Sequence, residues 1–191
     1  MNYSKNFHLF FIPLVFLTTC HFSNFYPDPD DRGLSRFTSR GYNIAATYIN
    51  GKSFLNTGSF YPILQKDSTG NTIDTLHFNW DLYQNDSTFG NSAYKSISFL
   101  MPVPSSFNKI NLLAFNGQRF SNSIPVTLQD SSRRNFSGIA TLYFVSVSET
   151  NYSSNQKYIK LSGLFDGNIG DSIYITKGRF DFEIYEADLN F

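Results

Sequence analysis

The sequence predicts an all-β domain, an antiparallel sandwich or barrel-like arrangement of about nine or ten short strands. Three observations indicate this class. Apolar and polar residues alternate with a period of two in several segments, turn signals recur at short intervals, and no segment sustains a helical period. The 191 residues include 21 Phe and 12 Tyr, and aromatic side chains favour pleated strands. This spacing of turns is typical of sandwiches and barrels.

A hairpin is predicted at the start of the domain. Ile44 to Ile49 is strand-like, and Asn50-Gly51 is the strongest short signal for a tight turn. Lys52 to Leu55 is therefore the returning strand. Phe60 to Gln65 is a weaker strand interrupted by Pro62, which suits a sheet edge.

The clearest alternation lies in the next segment. Its apolar face is Leu76, Phe78, Trp80 and Leu82, and its polar face is His77, Asn79, Asp81 and Tyr83. A period of two predicts a half-buried strand. Lys95 to Met101 is a further strand, ended by prolines. Ile110 to Phe115 is read as another, followed by a second Asn-Gly turn, and Ile124 to Leu128 is a short one.

The remaining strands fill the C-terminal third of the chain. Ile139 to Val147 is apolar on both faces, which predicts a central strand covered on two sides. Tyr158 to Phe165 alternates, and Lys177-Gly178 predicts a bulge or kink. Phe180, Phe182 and Ile184 then alternate with the outward residues Arg179, Asp181, Glu183 and Tyr185, which are read as a solvated face.

The N-terminal 19 residues have the pattern of a secretory leader. Lys5 precedes an unbroken apolar run from Leu9 to Leu17, which is too short to span a bilayer as a helix. Leu17-Thr18-Thr19-Cys20 resembles a bacterial lipobox. The chain has one cysteine, Cys20, so an internal disulfide is excluded and lipidation of Cys20 is predicted. The alternative is an ordinary secretory leader in which this cysteine is incidental.

Residues 20–40 are predicted to form a lipidated cysteine followed by a flexible tether, with the single folded domain at 41–191. Tyr26 to Gly33 contains two prolines and has no period of either kind. The acidic residues Asp28, Asp30 and Asp31 are read as part of a solvated linker. Alternative readings are a surface-export signal and, less favoured because the prolines stiffen the backbone, a calcium site.

The composition excludes one class of partner. Fifteen basic side chains are balanced by fifteen acidic ones, and charged residues are only 16% of the chain. Nucleic-acid binding requires a clustered basic face, which this sequence lacks. The predicted partners are therefore the membrane, bound through the N-terminal acyl anchor, and a glycan or an envelope protein.

Short motifs at both ends of the domain resemble small outer-membrane lipoproteins of Bacteroidota of uncharacterised function. They are Ala46 to Phe54 at the start, and Ser162 to Phe165 and Ile175 to Phe182 at the end. The resemblance implies a β-domain anchored in the outer membrane by an N-terminal acyl group, with the periplasmic or cell-surface side left open. It transfers no catalytic residues.

Catalytic and metal-binding patterns are sparse. After the leader, His21 and His77 are the only histidines, too few for a zinc site, and no nucleophile-elbow sequence accompanies His77. Paired carboxylates would support glycoside hydrolysis, and Asp81, Asp181, Glu183 and Glu186 are candidates. Nothing in the sequence brings two of them together. No catalytic residue, cofactor or metal is assigned, and a hydrolase is the least favoured function.

Aromatic residues provide the candidate binding site. An aromatic face offers large area for a sugar ring at low entropic cost. The candidates for such a platform are Trp80, Tyr83, Tyr94, Tyr158 and Tyr185, and the alternative is ordinary core or strand-surface packing. The sequence thus favours a non-enzymatic lipoprotein that binds a ligand or partner, with a glycan-binding accessory module as the alternative.

Overall fold

The computed structural model describes residues 28–56, 60, 62–67, 72–84, 94–153 and 156–189. The predicted leader and Cys20 lie outside these residues. The described chain forms nine strands, a short α-helix and a 3-10 turn: β1 (Ile44–Ile49), β2 (Lys52–Asn56), β3 (Ile63–Gln65), β4 (Ile73–Gln84), β5 (Tyr94–Pro104), α1 (Lys109–Leu113), β6 (Arg119–Asp130), β7 (Asn135–Ser153), β8 (Gln156–Ile169), β9 (Ile173–Tyr185) and the turn Glu186–Asp188. The all-β prediction is confirmed.

One antiparallel sheet in the order β2-β1-β9-β8-β7-β6-β5-β4-β3 contains all nine strands. A further pairing joins β2 to β4, with Phe54 opposite Gln84 and Leu55 opposite Tyr83. This pairing closes eight strands into a ring and leaves β3 beside the first half of β4. Of the two architectures left open by the sequence, the sheet therefore adopts the barrel-like one.

The barrel has two distinct ends. The hairpin end carries the β1–β2 turn at Asn50-Gly51, the β6–β7 turn and the β8–β9 turn. Both turn residues of the first hairpin have positive φ, 50° and 76°, which confirms the Asn-Gly prediction. The helix end carries α1, the β7–β8 connection and the 3-10 turn.

Aromatic rings fill the barrel interior. Trp80 is 3% exposed, and its ring centroid lies 5.2 Å from that of Phe99 and 5.5 Å from that of Phe165. Its ring also contacts those of Phe60, Phe180 and Phe182. Alternation on β4 points Trp80 inward together with Leu76, Phe78 and Leu82. The core therefore consists of interlocked aromatic and aliphatic side chains, as is general for close-packed protein interiors.

The Lys177-Gly178 kink is confirmed, and it serves this packing. Lys177 has a φ of 52°. The register between β8 and β9 shifts between the pair Phe165–Gly178 and the pair Gly167–Ile175. A Cβ on Gly178 would lie 2.3 Å from the Phe165 ring. Glycine is needed here because the ring of the neighbouring strand occupies the space of a side chain.

The segment Ile110 to Phe115 is not the expected strand, because its first four residues lie in the helix α1 and its last two in the turn that follows. The Asn108 side chain accepts hydrogen bonds from the backbone of Ile110 and Asn111, and the Asn111 side chain accepts one from the backbone of Asn108. This reciprocal capping box starts the helix. Five residues are too few to show a helical period in the sequence.

The prediction for the strand at Ile139 to Val147 is wrong in one respect. It lies within β7 and its inward residues are buried, but Ile139 is 55% exposed. The outer face of β7 is therefore not covered at that position.

The structure also corrects the predicted tether. Residues 28–43, here called the N-terminal clasp, lie along the outside of β9 and β1, and Leu34 is fully buried. Arg179 donates to Asp28 and Asp31 at 2.6 Å each and to the backbone oxygen of Ser35 at 3.0 Å. Lys177 also pairs with Asp31. The acidic residues therefore fasten the chain to the barrel.

Asp181 holds the second half of the clasp. Its carboxylate accepts hydrogen bonds from the backbone of Arg40 at 3.1 Å and of Gly41 at 2.7 Å, and from the Thr38 hydroxyl. Arg179 is 7% exposed and Asp181 is 2% exposed. The outward face of β9 is thus buried beneath the clasp over these residues, and the prediction of a solvated face is wrong there.

Candidate functional site

Three tyrosines form a cluster on the outer surface of β7, β8 and β9 at the helix end. Tyr158 lies opposite Tyr185 in the β8–β9 register, and their ring centroids are 5.3 Å apart. Tyr152, near the end of β7, packs edge-on against Tyr158, also with 5.3 Å between centroids. Tyr152, Tyr158 and Tyr185 are here called the tyrosine cluster.

Tyr152 is placed by a distortion of its strand. The register between β7 and β8 shifts between Asn151 and Ser153, so Tyr152 has no direct partner on β8. Its ring reaches over β8 to Lys160, whose amine lies 5.6 Å from the ring centroid. Its hydroxyl donates to Glu183 on β9 at 2.7 Å. The Tyr152 side chain of β7 thus contacts residues of both β8 and β9.

The cluster combines apolar surface with polar groups. Tyr152 is 57% exposed, and Tyr158 and Tyr185 are half-buried. Lys160 and Glu183 lie opposite each other in the register and form an ion pair of 3.8 Å. Aromatic area beside a cation and a carboxylate provides surfaces for stacking and for hydrogen bonding at one site.

A second charged group borders the cluster along the chain. Glu186 follows Tyr185 and binds Lys109 of α1 at 2.7 Å, and Lys109 also reaches Glu149 at 3.5 Å. The hydrogen bond from Lys109 to Glu186 lowers the pKa of Glu186 and raises the pKa of Lys109. Both groups are therefore charged at neutral pH, and they tie α1 to the end of β9.

Two of the predicted aromatic residues, Tyr158 and Tyr185, are brought together. The prediction for Trp80 is wrong. The alternation of β4 points its side chain into the core, where it cannot form part of an exposed platform. Tyr83 is 51% exposed on β4, away from the cluster, and it lies opposite Tyr94, which the structure describes only by its strand position. The predicted set therefore does not form one platform.

Tyr152 belongs to the site but was not among the sequence candidates. It lies in a polar segment, Glu149 to Gln156, which reads as a loop. In the structure β7 runs through to Ser153. The available signal is the spacing of Tyr152 and Tyr158 around a short polar turn, which places aromatic residues on neighbouring antiparallel strands.

The candidate catalytic residues are dispersed. His77 points outward from β4, and burial lowers the pKa of its imidazole, which is therefore neutral at pH 7. It lines a surface cavity with Gln65, Thr75 and Leu100. Asp181 is bound by the clasp, and Glu183 and Glu186 are paired with lysines. His21 lies outside the described residues.

No group of three or more potential metal ligands occurs in the part of the chain that the structure describes. Over the same residues, no helix is long and apolar enough to cross a membrane. Comparison of the chain with protein-family models, curated proteins and solved structures finds no match.

Proposed function

We propose that this chain is a lipid-anchored lipoprotein of a Bacteroidota-type outer membrane that binds glycan without catalysing a reaction. The observation that carries the ligand class is the tyrosine cluster, in which three rings pack edge-on or tilted against one another with 5.3 Å between neighbouring centroids. Sugar rings present C–H groups that stack on aromatic faces, and their hydroxyls bind charged side chains. Lys160 and Glu183 supply those charges.

The anchor rests on Cys20 and on the short leader before it. Asp28, where the clasp begins, lies eight positions after Cys20, with seven residues between them. A fully extended chain of this length reaches roughly 29 Å, which limits the distance between barrel and membrane. Of the tether predicted at residues 20–40, only the part before Asp28 is then available to link the barrel to the membrane.

A glycan array tests the ligand class. Tyr152→Ala and Tyr158→Ala should each reduce binding of the recognised glycan about fivefold or more, since each removes a stacking face. The matched control is Tyr174→Ala, because Tyr174 is 53% exposed on β9 but outside the cluster. Equal losses in all three variants, or glycan binding by none of the proteins, would overturn the assignment. Capture of an envelope protein through the same tyrosines would replace glycan by protein as the partner.

Mass spectrometry of the N-terminus tests the anchor separately. The chain expressed in a native-like host should begin at an acylated Cys20, and Cys20→Ala should abolish the modification. An unmodified N-terminus at another residue would exclude the lipoprotein assignment and leave the glycan assignment to stand on the array.

A further inference from the structure

We propose that the mouth of the barrel at the hairpin end binds a small single-chain amphipathic carboxylate. The mouth contains a cavity of about 290 Å³, lined by Ile49, Asn50, Lys52, Phe54, Gln84, Lys95, Leu128 and Ile173. This volume is at the lower limit of ordinary ligand sites, so the ligand is small. The cavity lies at the opposite end from the tyrosine cluster.

Alternation along the strands gives the cavity its apolar floor. Ile49, Phe54 and Leu128 are inward residues of β1, β2 and β6, with 4%, 2% and 0% exposure. Ile173, the first residue of β9, packs against the same core. These side chains form the last layer of the barrel interior below the mouth, and the partly buried Ile173 would contact the apolar part of a ligand.

Two lysines occupy inward positions directly above this floor. Lys52 precedes Phe54 by two residues on β2, and Lys95 precedes the buried Ile97 by two on β5. Because side chains alternate along a strand, both lysines belong to the inward-facing series. Lysine ordinarily reaches from a strand end into water. In this barrel, Lys52 on β2 and Lys95 on β5 both line the same cavity.

Neither amine is neutralised by a carboxylate of the described chain. Asp130 is the inward acidic residue opposite Lys95 in the β5–β6 register. Its carboxylate is instead bound by the Arg134 side chain at 2.7 and 2.9 Å and by the backbone of Ser132 at 2.9 Å. The hydrogen bond from Arg134 lowers the pKa of Asp130. The mouth therefore has a positive charge that an anion would complement.

The chemistry of the ligand follows from these two features. A carboxylate forms charge-assisted hydrogen bonds with lysine amines. An apolar tail gains free energy by leaving water for the mouth of the cavity, where the partly buried Ile173 and the edges of Ile49 and Phe54 are accessible. The aromatic core closes the barrel below this layer, so a long acyl chain is excluded. We assign a monocarboxylate with a short aliphatic chain, and octanoate is the probe.

Isothermal titration calorimetry on the purified full chain compares octanoate with octanamide, which has the same tail without the charge. Octanoate should bind with a Kd below about 1 mM, as expected for a ligand of this size, and octanamide about tenfold more weakly. Lys52→Gln and Lys95→Gln should each weaken octanoate about tenfold and reduce its preference over octanamide. Lys95→Arg retains the charge and should retain the preference.

Lys66→Gln is the matched control, because Lys66 is an exposed lysine that lies outside the cavity. Circular dichroism establishes that each variant is folded. Equal binding of octanoate and octanamide, no binding of octanoate, or an equal loss in Lys66→Gln would overturn the proposal. Tighter binding of dihexanoyl phosphatidic acid would replace the free carboxylate by a lipid headgroup and overturn the single-chain assignment. Tyr152→Ala should leave octanoate binding unchanged, so this site and the glycan site fail independently.

Discussion

Arg179 on β9 and Asp28 in the N-terminal clasp are 151 residues apart in the chain and form an ion pair of 2.6 Å. The same guanidinium binds Asp31 at 2.6 Å with its other terminal nitrogen. The Arg179 side chain is only 9% exposed, and those of Asp28 and Asp31 are 15% and 14% exposed. One cation shielded from water thus holds two carboxylates and fixes the start of the clasp on the barrel.

Replacement of this cation should release the clasp. Arg179→Met retains apolar volume but leaves Asp28 and Asp31 without their shared partner. Breaking a shielded pair from one side costs about 3 kcal/mol. We expect limited proteolysis to cleave the variant between residues 28 and 40 while the barrel remains intact.

The control is Lys177→Met, which removes the other cation on Asp31. Lys177 is 58% exposed, so its loss should cost far less than the loss of Arg179 and leave the clasp protected. Equal proteolysis of the two variants would show that burial of Arg179 contributes nothing.

Acid should release the clasp in the same manner. The hydrogen bond from the Asp30 backbone is the largest influence lowering the pKa of Asp28, and that from Lys177 is the largest for Asp31. Because the folded-state pKa values are depressed, the stabilisation is present above the unfolded value of about 3.9 and is lost as pH falls through the folded values. The protection of residues 28–40 from hydrogen exchange, taken relative to the unfolded chain at the same pH, should therefore be high at pH 6 and fall below about pH 4.

Arg179→Met is the reference for this pH dependence. The protection of its clasp relative to the unfolded chain should already be low at pH 6 and should change little on acidification. A wild-type clasp that stays protected at pH 2 would contradict the assignment of the carboxylates as its fastening.

Close packing at Gly178 gives a third prediction. A Cβ there would lie 2.3 Å from the Phe165 ring and 2.5 Å from its carbonyl oxygen, so the backbone of β8 would have to move. Gly178→Ala should destabilise the barrel by about 3 kcal/mol in urea denaturation.

Gly170 provides the comparison, since a Cβ there would meet nothing within 4 Å and only its φ of 57° disfavours alanine. Gly170→Ala should cost about 1 kcal/mol. A larger loss in Gly170→Ala than in Gly178→Ala would show that the turn conformation, and not the Phe165 contact, dominates.

Local patterns were sufficient to predict most strands. The alternation at Leu76 to Tyr83 is a property of one segment, because the side-chain period of a strand is fixed by the backbone. Asn50-Gly51 likewise fixes its hairpin through the positive φ values that these two residues tolerate. Ile110 to Phe115 was misread because α1 is started by Asn108 and Asn111 side chains, and it is too short to repeat an apolar period.

Long-range contacts could not be predicted. The clasp looks like a linker, since its fastening is created by Arg179 and Asp181 near the other end of the chain. Two members of the tyrosine cluster were named, but their contact with Tyr152 depends on the β7–β8 shift at Asn151. The basic residues of the barrel mouth, Lys52 and Lys95, become neighbours only through closure of the sheet.

Trp80 and Tyr83 show how strand parity separates two aromatic residues that are close in sequence. Trp80 contacts five phenylalanine rings in the core, whereas Tyr83 is 51% exposed on the opposite face of β4. Trp80→Ala should therefore cost about 4 kcal/mol because it opens a large cavity. Tyr83→Ala should change the free energy of unfolding by less than about 0.5 kcal/mol.

Urea denaturation followed by far-ultraviolet circular dichroism measures both variants without relying on the tryptophan that one of them lacks. Trp80→Phe is the intermediate case, since it keeps an aromatic ring in the core, and its cost should fall between those of the two alanine variants. Equal destabilisation in Trp80→Ala and Tyr83→Ala would contradict the inward placement of Trp80 and return it to the exposed face of the strand.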